Sequence, residues 1–141
     1  MFNYNDGGRK AAGFVGHSGD CVVRAIAIAT GESYLQIYNQ LNELRDGLRQ
    51  TRRVKASSAR NGVDRLVYDR FLKAKGWKWV PAMKIGSGCK IHLRADELPS
   101  GNIICRVSKH MVAVVNGIIN DNHNPARGGT RCVYGYYQKE D

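Results

Sequence analysis

Residues 111–122 read MVAVVNGIINDN, two apolar runs separated by Asn-Gly. No other stretch of the chain limits the fold so tightly. Asn-Gly between apolar runs predicts a two-residue β-hairpin, because both central positions of that turn need positive φ. The turn then sets the register: Val115 opposite Ile118, Val112 opposite Asp121, and His110 opposite His123. Side chains alternate faces along a strand, so His110, Val112, Asp121 and His123 share one face. Asp121 becomes a diagonal neighbour of His110, within reach of longer side chains. A slip of one residue would send the whole set to the other face.

Upstream, residues 21–30 read CVVRAIAIAT, apolar almost all round except for Arg24. That pattern predicts a buried helix rather than an amphipathic one. Asp20 or Ser18 can cap its start, and Gly31 stops it. Ser33 with Gln36 forms a capping box for a second helix, along which Tyr34, Ile37, Tyr38, Leu41, Leu44 and Leu48 recur. A third helix is expected from about Gly62 to Lys75, with Val63, Leu66, Val67 and Phe71 as its stripe. After Gly76 the period changes to two. Expected strands are Trp77–Val80, Lys90–Leu93, Ile103–Val107, Met111–Val115, Ile118–Asn122 and Cys132–Tyr136. Helices first and an antiparallel sheet afterwards make an α+β fold. The 141 residues suit one domain. Residues 1–16 read as a loose Gly-rich arm, and residues 49–61 (RQTRRVKASSARN) as a basic mobile loop.

Charge is concentrated. The net charge is +10, yet Arg45–Arg94 holds 14 Lys and Arg against three acids, +11, leaving the remainder at −1. A local excess of this kind favours acidic partners, nucleic acid foremost, or simply a solvated face. No apolar run is long enough for a transmembrane helix, and the polar N-terminus lacks the apolar core of a signal peptide. A cytoplasmic protein is therefore expected, with no membrane partner.

Cysteine chemistry needs a thiolate, and a helix N-terminus favours one. Cys21 stands where the buried helix begins, and backbone N–H groups there can also hold an oxyanion. A free cysteine is often just a small buried hydrophobe. Cys89, Cys105 and Cys132 are read that way. The four cysteines are scattered, without a CxxC, so neither a disulfide framework nor a metal site is expected. His110 at the mouth of the hairpin supplies a base for Cys21. Asp121 can hold its imidazole in the right tautomer and stabilise the imidazolium. His123 is the alternative third member, less suited because a carboxylate better stabilises a cation.

The stretches HSGDCVVRAIAIATG and SKHMVAVVNGIINDNHNP place a Cys at the start of a buried helix, a distant His at a hairpin entrance, and an Asp at the end of the next strand. This order resembles the papain-like cysteine peptidase and transglutaminase-like superfamily, especially its compact bacteriocin-processing and transglutaminase-like branches. It is also similar to small uncharacterised proteins encoded by bacteriophages, which would place the chain in a host cytoplasm. The resemblance spans about Gly16 to Tyr137. It implies a papain-like core, with Cys21 as nucleophile, His110 as base and then acid, and Asp121 as orienter. It implies a hydrolase or acyl transferase working through a thioester on a peptide, isopeptide or amide bond, without a cofactor. One departure is plain: such enzymes carry a Gln shortly before the Cys, and this chain has no Gln before Gln36. His17, four residues upstream, or Asn5 could replace it in an oxyanion hole. The departure leaves open a non-catalytic member of the superfamily. A second class also stands: a basic module holding nucleic acid or an acidic protein. Its candidates are Arg49, Arg52, Arg53, Lys55 and Arg60, with Tyr68, Trp77 and Trp79 available to stack on bases. The walls of an active-site cleft are expected from loops Lys84–Lys90 and Pro125–Thr130.

Overall fold

The computed structural model describes residues 2–15, 19–49, 58–84 and 86–139, with the Arg49 side chain outside them. Three helices, α1 (Cys21–Thr30), α2 (Tyr34–Arg49) and α3 (Arg65–Ala74), accompany six strands. The strands are β1 (Phe2–Tyr4), β2 (Trp77–Pro81), β3 (Asn102–Val107), β4 (His110–Val115), β5 (Ile118–Asp121) and β6 (Gly135–Lys139). They form one sheet in the order β1-β5-β4-β3-β6-β2. All pairings are antiparallel except β1 with β5. The fold is α+β.

Local chemistry sets most boundaries. Gly31 ends α1 in the left-handed region at φ 74°, its N–H bonding the Ala27 carbonyl. Ser33 Oγ accepts the Gln36 N–H at 3.4 Å ahead of α2. Asp64 accepts the Leu66 N–H at 2.9 Å, so α3 starts at Arg65, later than Gly62. Asn116 and Gly117 turn β4 into β5 at φ 49° and 80°. The register follows that turn: Val115 faces Ile118, Val114 faces Ile119, and Ala113 faces Asn120.

Two apolar layers cover the sheet. The helices pack on one face, where Val23, Ile26, Ile37 and Leu72 meet Ile104, Ala113 and Tyr137. On the other face Ile103, Cys105, Val112 and Val114 pack with Leu93, Ala126 and Val133. The alternation along β3 and β4 produces this division. Each fully buried aliphatic side chain contributes roughly 1.5–3 kcal/mol, an upper figure because the unfolded chain already hides some surface.

Several expectations are corrected. The N-terminal arm is not loose: β1 extends the sheet, Asn5 N–H donates to the Asp121 carbonyl at 2.8 Å, and Phe14 packs on Tyr34 and Tyr38. Lys90–Leu93 and Cys132–Tyr136 are not full strands. A single bridge joins His92 to Cys132, and regular pairing resumes at Gly135. Cys89 and Cys132 are not two buried hydrophobes; they form a disulfide, with Cα atoms 5.7 Å apart. Backbone bonds from Leu93 to Arg131 and from Val133 to Ile91 bring those two segments together. Cys105 is buried, as expected. Within the basic loop, residues 50–57 lie outside the described part, while Ser58 and Gly62 close a turn on each other.

Gly135 is fixed by a close approach. A Cβ there would meet the Trp79 ring at 2.3 Å and the Val80 carbonyl oxygen at 2.8 Å. Gly135→Ala should therefore destabilise the fold by about 1–3 kcal/mol, read as a lower urea midpoint at unchanged slope. A variant as stable as the parent would show that the Trp79 ring moves freely.

Candidate active site

The helix face and the hairpin meet at Cys21. Helix α1 packs on β4, which sets the first residue of the helix beside the first residue of the strand. Cys21, His110 and Met111 line one cleft, and the His110 imidazole and the Met111 backbone N–H both favour the Cys21 thiolate. His110 Nε2 lies 2.6 Å from Asp121 Oδ2. The face expected to be shared by His110, Val112 and Asp121 is not kept: Val112 packs in the layer away from the helices, whereas His110 and Asp121, at the ends of their strands, reach Cys21 and Arg24 of α1. Asp121 Oδ1 accepts the Asn122 N–H at 2.7 Å and faces Arg24 Nη2 at 3.4 Å. Asp121 is 3% exposed and Arg24 6%.

The ionisation states follow from these contacts. Burial pushes the Cys21 thiol up, but the hydrogen bond and charge of His110, the Met111 N–H and Arg24 outweigh it, and the pKa falls below its ordinary 9.0. Burial pushes His110 down, but its bonds to Asp121 and Cys21 outweigh that and raise it to about 9. Burial also opposes the charge on Asp121, yet the His110 hydrogen bond and charge, the Asn122 N–H and Arg24 hold its carboxyl below 3.8. The three shifts agree with one another: thiolate, imidazolium and carboxylate stabilise each other in a row. Cys105 makes the contrast, since burial alone pushes it up to about 12.

A further group stands behind this row and was missed from the sequence. Asp20 is 1% exposed. It occupies the cap position of α1 but makes no side-chain cap bond. Its carboxylate instead pairs with Arg24, with Arg9 at 3.3 Å, and with the Tyr34 hydroxyl. Burial and this bond raise the Tyr34 pKa. The Asp20 and Arg24 spacing of i, i+4 was a visible signal, as was a lone arginine in an apolar helix.

Cys21, His110 and Asp121 are thus brought together. His123 is exposed, its ring centroid 5.1 Å from that of His110 and its Nδ1 2.6 Å from Asn122 Oδ1. It lies beside the row, while Asp121 holds the bond to His110. His17 falls outside the described residues. Asn5 is engaged at the sheet edge, accepting the Gly7 N–H at 2.9 Å and facing Asn120. His110, Asp121 and His123 place one ligand atom each within 4.8 Å of one another. That donor set could hold a metal ion, although coordination would have to displace the proton shared by His110 and Asp121.

Cys21 and His110 open onto a cleft of about 610 Å³. Its walls include Asn61, Arg65, Tyr68, Arg106, Lys109 and Tyr134. The loops Lys84–Lys90 and Pro125–Thr130, expected as walls, do not line it among the described residues, because the disulfide side of the sheet lies elsewhere. Of the basic-loop candidates, Arg52, Arg53, Lys55 and the Arg49 side chain fall outside the described residues. Arg60 donates to the Val15 carbonyl at 3.1 Å. Trp77 and Tyr68 are buried at 4% and 5% exposure, as core residues rather than stacking platforms. Among the described residues, no helix is long and apolar enough to cross a membrane.

No family model, curated protein or solved structure matches this chain.

Proposed function

We propose that this protein is a cysteine-dependent hydrolase or acyl transferase of papain-like design, acting on a peptide, isopeptide or amide bond. The observation that carries the reading is the convergence of Cys21 with the hydrogen-bonded pair His110 and Asp121 at the edge of a cleft, where His110 lowers the Cys21 pKa. The Cys21 thiolate attacks the carbonyl carbon, and the carbonyl electron pair moves onto oxygen. The backbone N–H at the start of α1 is a donor for that oxyanion. When the tetrahedral adduct collapses, imidazolium His110 gives its proton to the leaving amine, leaving a thioester on Cys21. Neutral His110 then takes a proton from water or from an acceptor amine, which attacks the thioester and releases the thiolate. Asp121 keeps the imidazole oriented and favours its charged form.

The reading predicts an acetyl thioester on Cys21 after exposure to p-nitrophenyl acetate, seen by intact mass and peptide mapping and absent from Cys21→Ala. Turnover should be bell-shaped in pH. It rises as Cys21 ionises below its ordinary 9.0, and it falls as His110 loses its proton near 9. Acetyl groups found on lysines alone would sink the proposal.

A second reading, a non-catalytic binder of nucleic acid or an acidic protein, draws on the +10 charge. Of its stacking candidates, Tyr68 and Trp77 are buried, and Trp79 is half-buried with Arg65 over its ring. A salt titration separates the two classes, since nucleic-acid affinity falls steeply with salt.

A further inference from the structure

The cleft beside Cys21 has an uneven charge. Arg24, Arg65, Arg106 and Lys109 line it, and among the described residues the one carboxylate in its lining is Asp20. Asp20 is turned inward and already engaged by Arg24, Arg9 and Tyr34. Arg65, Arg106 and Lys109 form no ion pair with a carboxylate among the described residues. Arg65 and Lys109 are exposed and Arg106 half-buried, so all three are open to a ligand.

Two of these cations, Arg65 and Arg106, are held in place without being neutralised. The Arg65 guanidinium carbon lies 5.7 Å from the Trp79 ring centroid, and that of Arg106 lies 5.9 Å from the Tyr134 centroid. Such cation–π contacts fix a guanidinium while leaving its N–H fork available. Both cations act on the Tyr68 hydroxyl, which also feels the Cys21 sulfur, so the positive charge and the nucleophile share one neighbourhood. A second feature points the same way. Arg24 is 6% exposed and its Nε finds no hydrogen-bond partner, a buried donor in the lining of the same cleft.

We infer that Arg65, Arg106 and Lys109 form an anion subsite that selects acidic peptide segments, with Asp or Glu side chains next to the acyl group presented to Cys21. This rests on the reading of Cys21 as an acyl-accepting nucleophile. A peptide is favoured over nucleic acid because the cations surround a thiol suited to carbonyl carbon. The cleft also has the size of a small-ligand or short-peptide site; of its aromatic walls, Tyr68 is buried and Arg106 lies over the Tyr134 ring, which leaves little open face for a base. Guanidinium groups suit carboxylates because the planar fork binds both oxygens at once.

The test uses two short peptides ending in a vinyl sulfone, identical except that one carries Glu residues where the other carries Gln. Labelling of Cys21 is followed by mass spectrometry. The Glu probe should label at least about tenfold faster at low salt, and the ratio should shrink as ionic strength rises. Arg65→Gln with Arg106→Gln should bring the Glu/Gln ratio close to one. Lys109→Gln, in an exposed turn, should lower the same ratio should the double variant fail to fold. Iodoacetamide, small and neutral, separates the two levels of the claim in the unmodified protein. Rapid alkylation of Cys21 with no Glu preference overturns the subsite and keeps the nucleophile. Alkylation no faster than that of an ordinary thiol overturns the nucleophile itself. Protection of Cys21 by single-stranded RNA at concentrations where a poly-glutamate peptide gives none also overturns the inference.

Discussion

His110→Ala is expected to slow alkylation of Cys21 by iodoacetamide at neutral pH by at least about tenfold. The thiol is half-buried, and burial alone works against its ionisation. The hydrogen bond and charge of His110 are the largest influences in the other direction. Removing them leaves the Met111 N–H and Arg24 against burial, and the pKa climbs toward or past its ordinary 9.0. A thiol at 9.0 is only about one per cent ionised at neutral pH. A thiolate of lower pKa is also intrinsically less nucleophilic, so the rate changes by less than the ionised fraction does. The drop remains large because the fraction dominates. The protein carries its own controls: Cys105 is buried and pushed up to about 12, and Cys89 and Cys132 are paired. An alkylation rate at Cys21 that ignores the loss of His110 would falsify the activated pair.

The same shifts set the pH range in which the row stabilises the fold. His110 is raised, so its contribution is complete below 6.5 and disappears as pH rises through about 9. Asp121 is lowered, so its contribution is complete above 3.8 and is lost as pH falls through its depressed value. Between those limits the charged pair is intact.

The hairpin and the order of helices were legible because their signals are local. Asn116-Gly117 sets a register by backbone geometry alone, and Val115, Val114 and Ala113 pair as that register requires. Gly31 ends α1 for an equally local reason. The contact of His110 with Asp121 is present, but not on the face that register assigned, since Val112 packs in the layer away from α1. What stayed hidden depends on distant chain segments. Strand β1 has three exposed residues and no alternating pattern; its place comes from backbone bonds to β5 and from Asn3 donating to Asn120 at 2.8 Å. The disulfide joins positions 43 apart, and its geometry exists only once residues 91–93 lie along residues 131–133. The cleft walls were misplaced for the same reason, because α3 and the end of β3 reach the site through packing rather than through sequence proximity. Arg24 stood out as an exception in an apolar helix, and the i, i+4 spacing to Asp20 was a visible signal, but its second partner, ninety-seven residues away, could not be read.

Arg24→Met should cost about 3–5 kcal/mol of stability, because it removes the cation shared by two buried carboxylates while leaving both in place. The methionine fills much of the same volume, so the loss is electrostatic rather than a cavity. Asp20 would keep Arg9 and the Tyr34 hydroxyl, and Asp121 would keep His110 and the Asn122 N–H. Neither carboxylate would then be fully orphaned, which favours the lower end of that range. Urea titration at neutral pH measures the loss, and repetition in acid identifies its origin. As falling pH protonates Asp121, the gap between parent and variant should narrow, since a neutral carboxyl no longer needs the guanidinium. Asp121 anchors His110, and Arg24 also helps hold Cys21 ionised. The folded variant should therefore alkylate at Cys21 more slowly, though less so than His110→Ala. A variant within about 1 kcal/mol of the parent at every pH would mean that Arg9, Tyr34 and His110 alone neutralise the two acids. Arg24, a residue of the cleft lining, would then act on the cleft rather than as the clamp between the two acids.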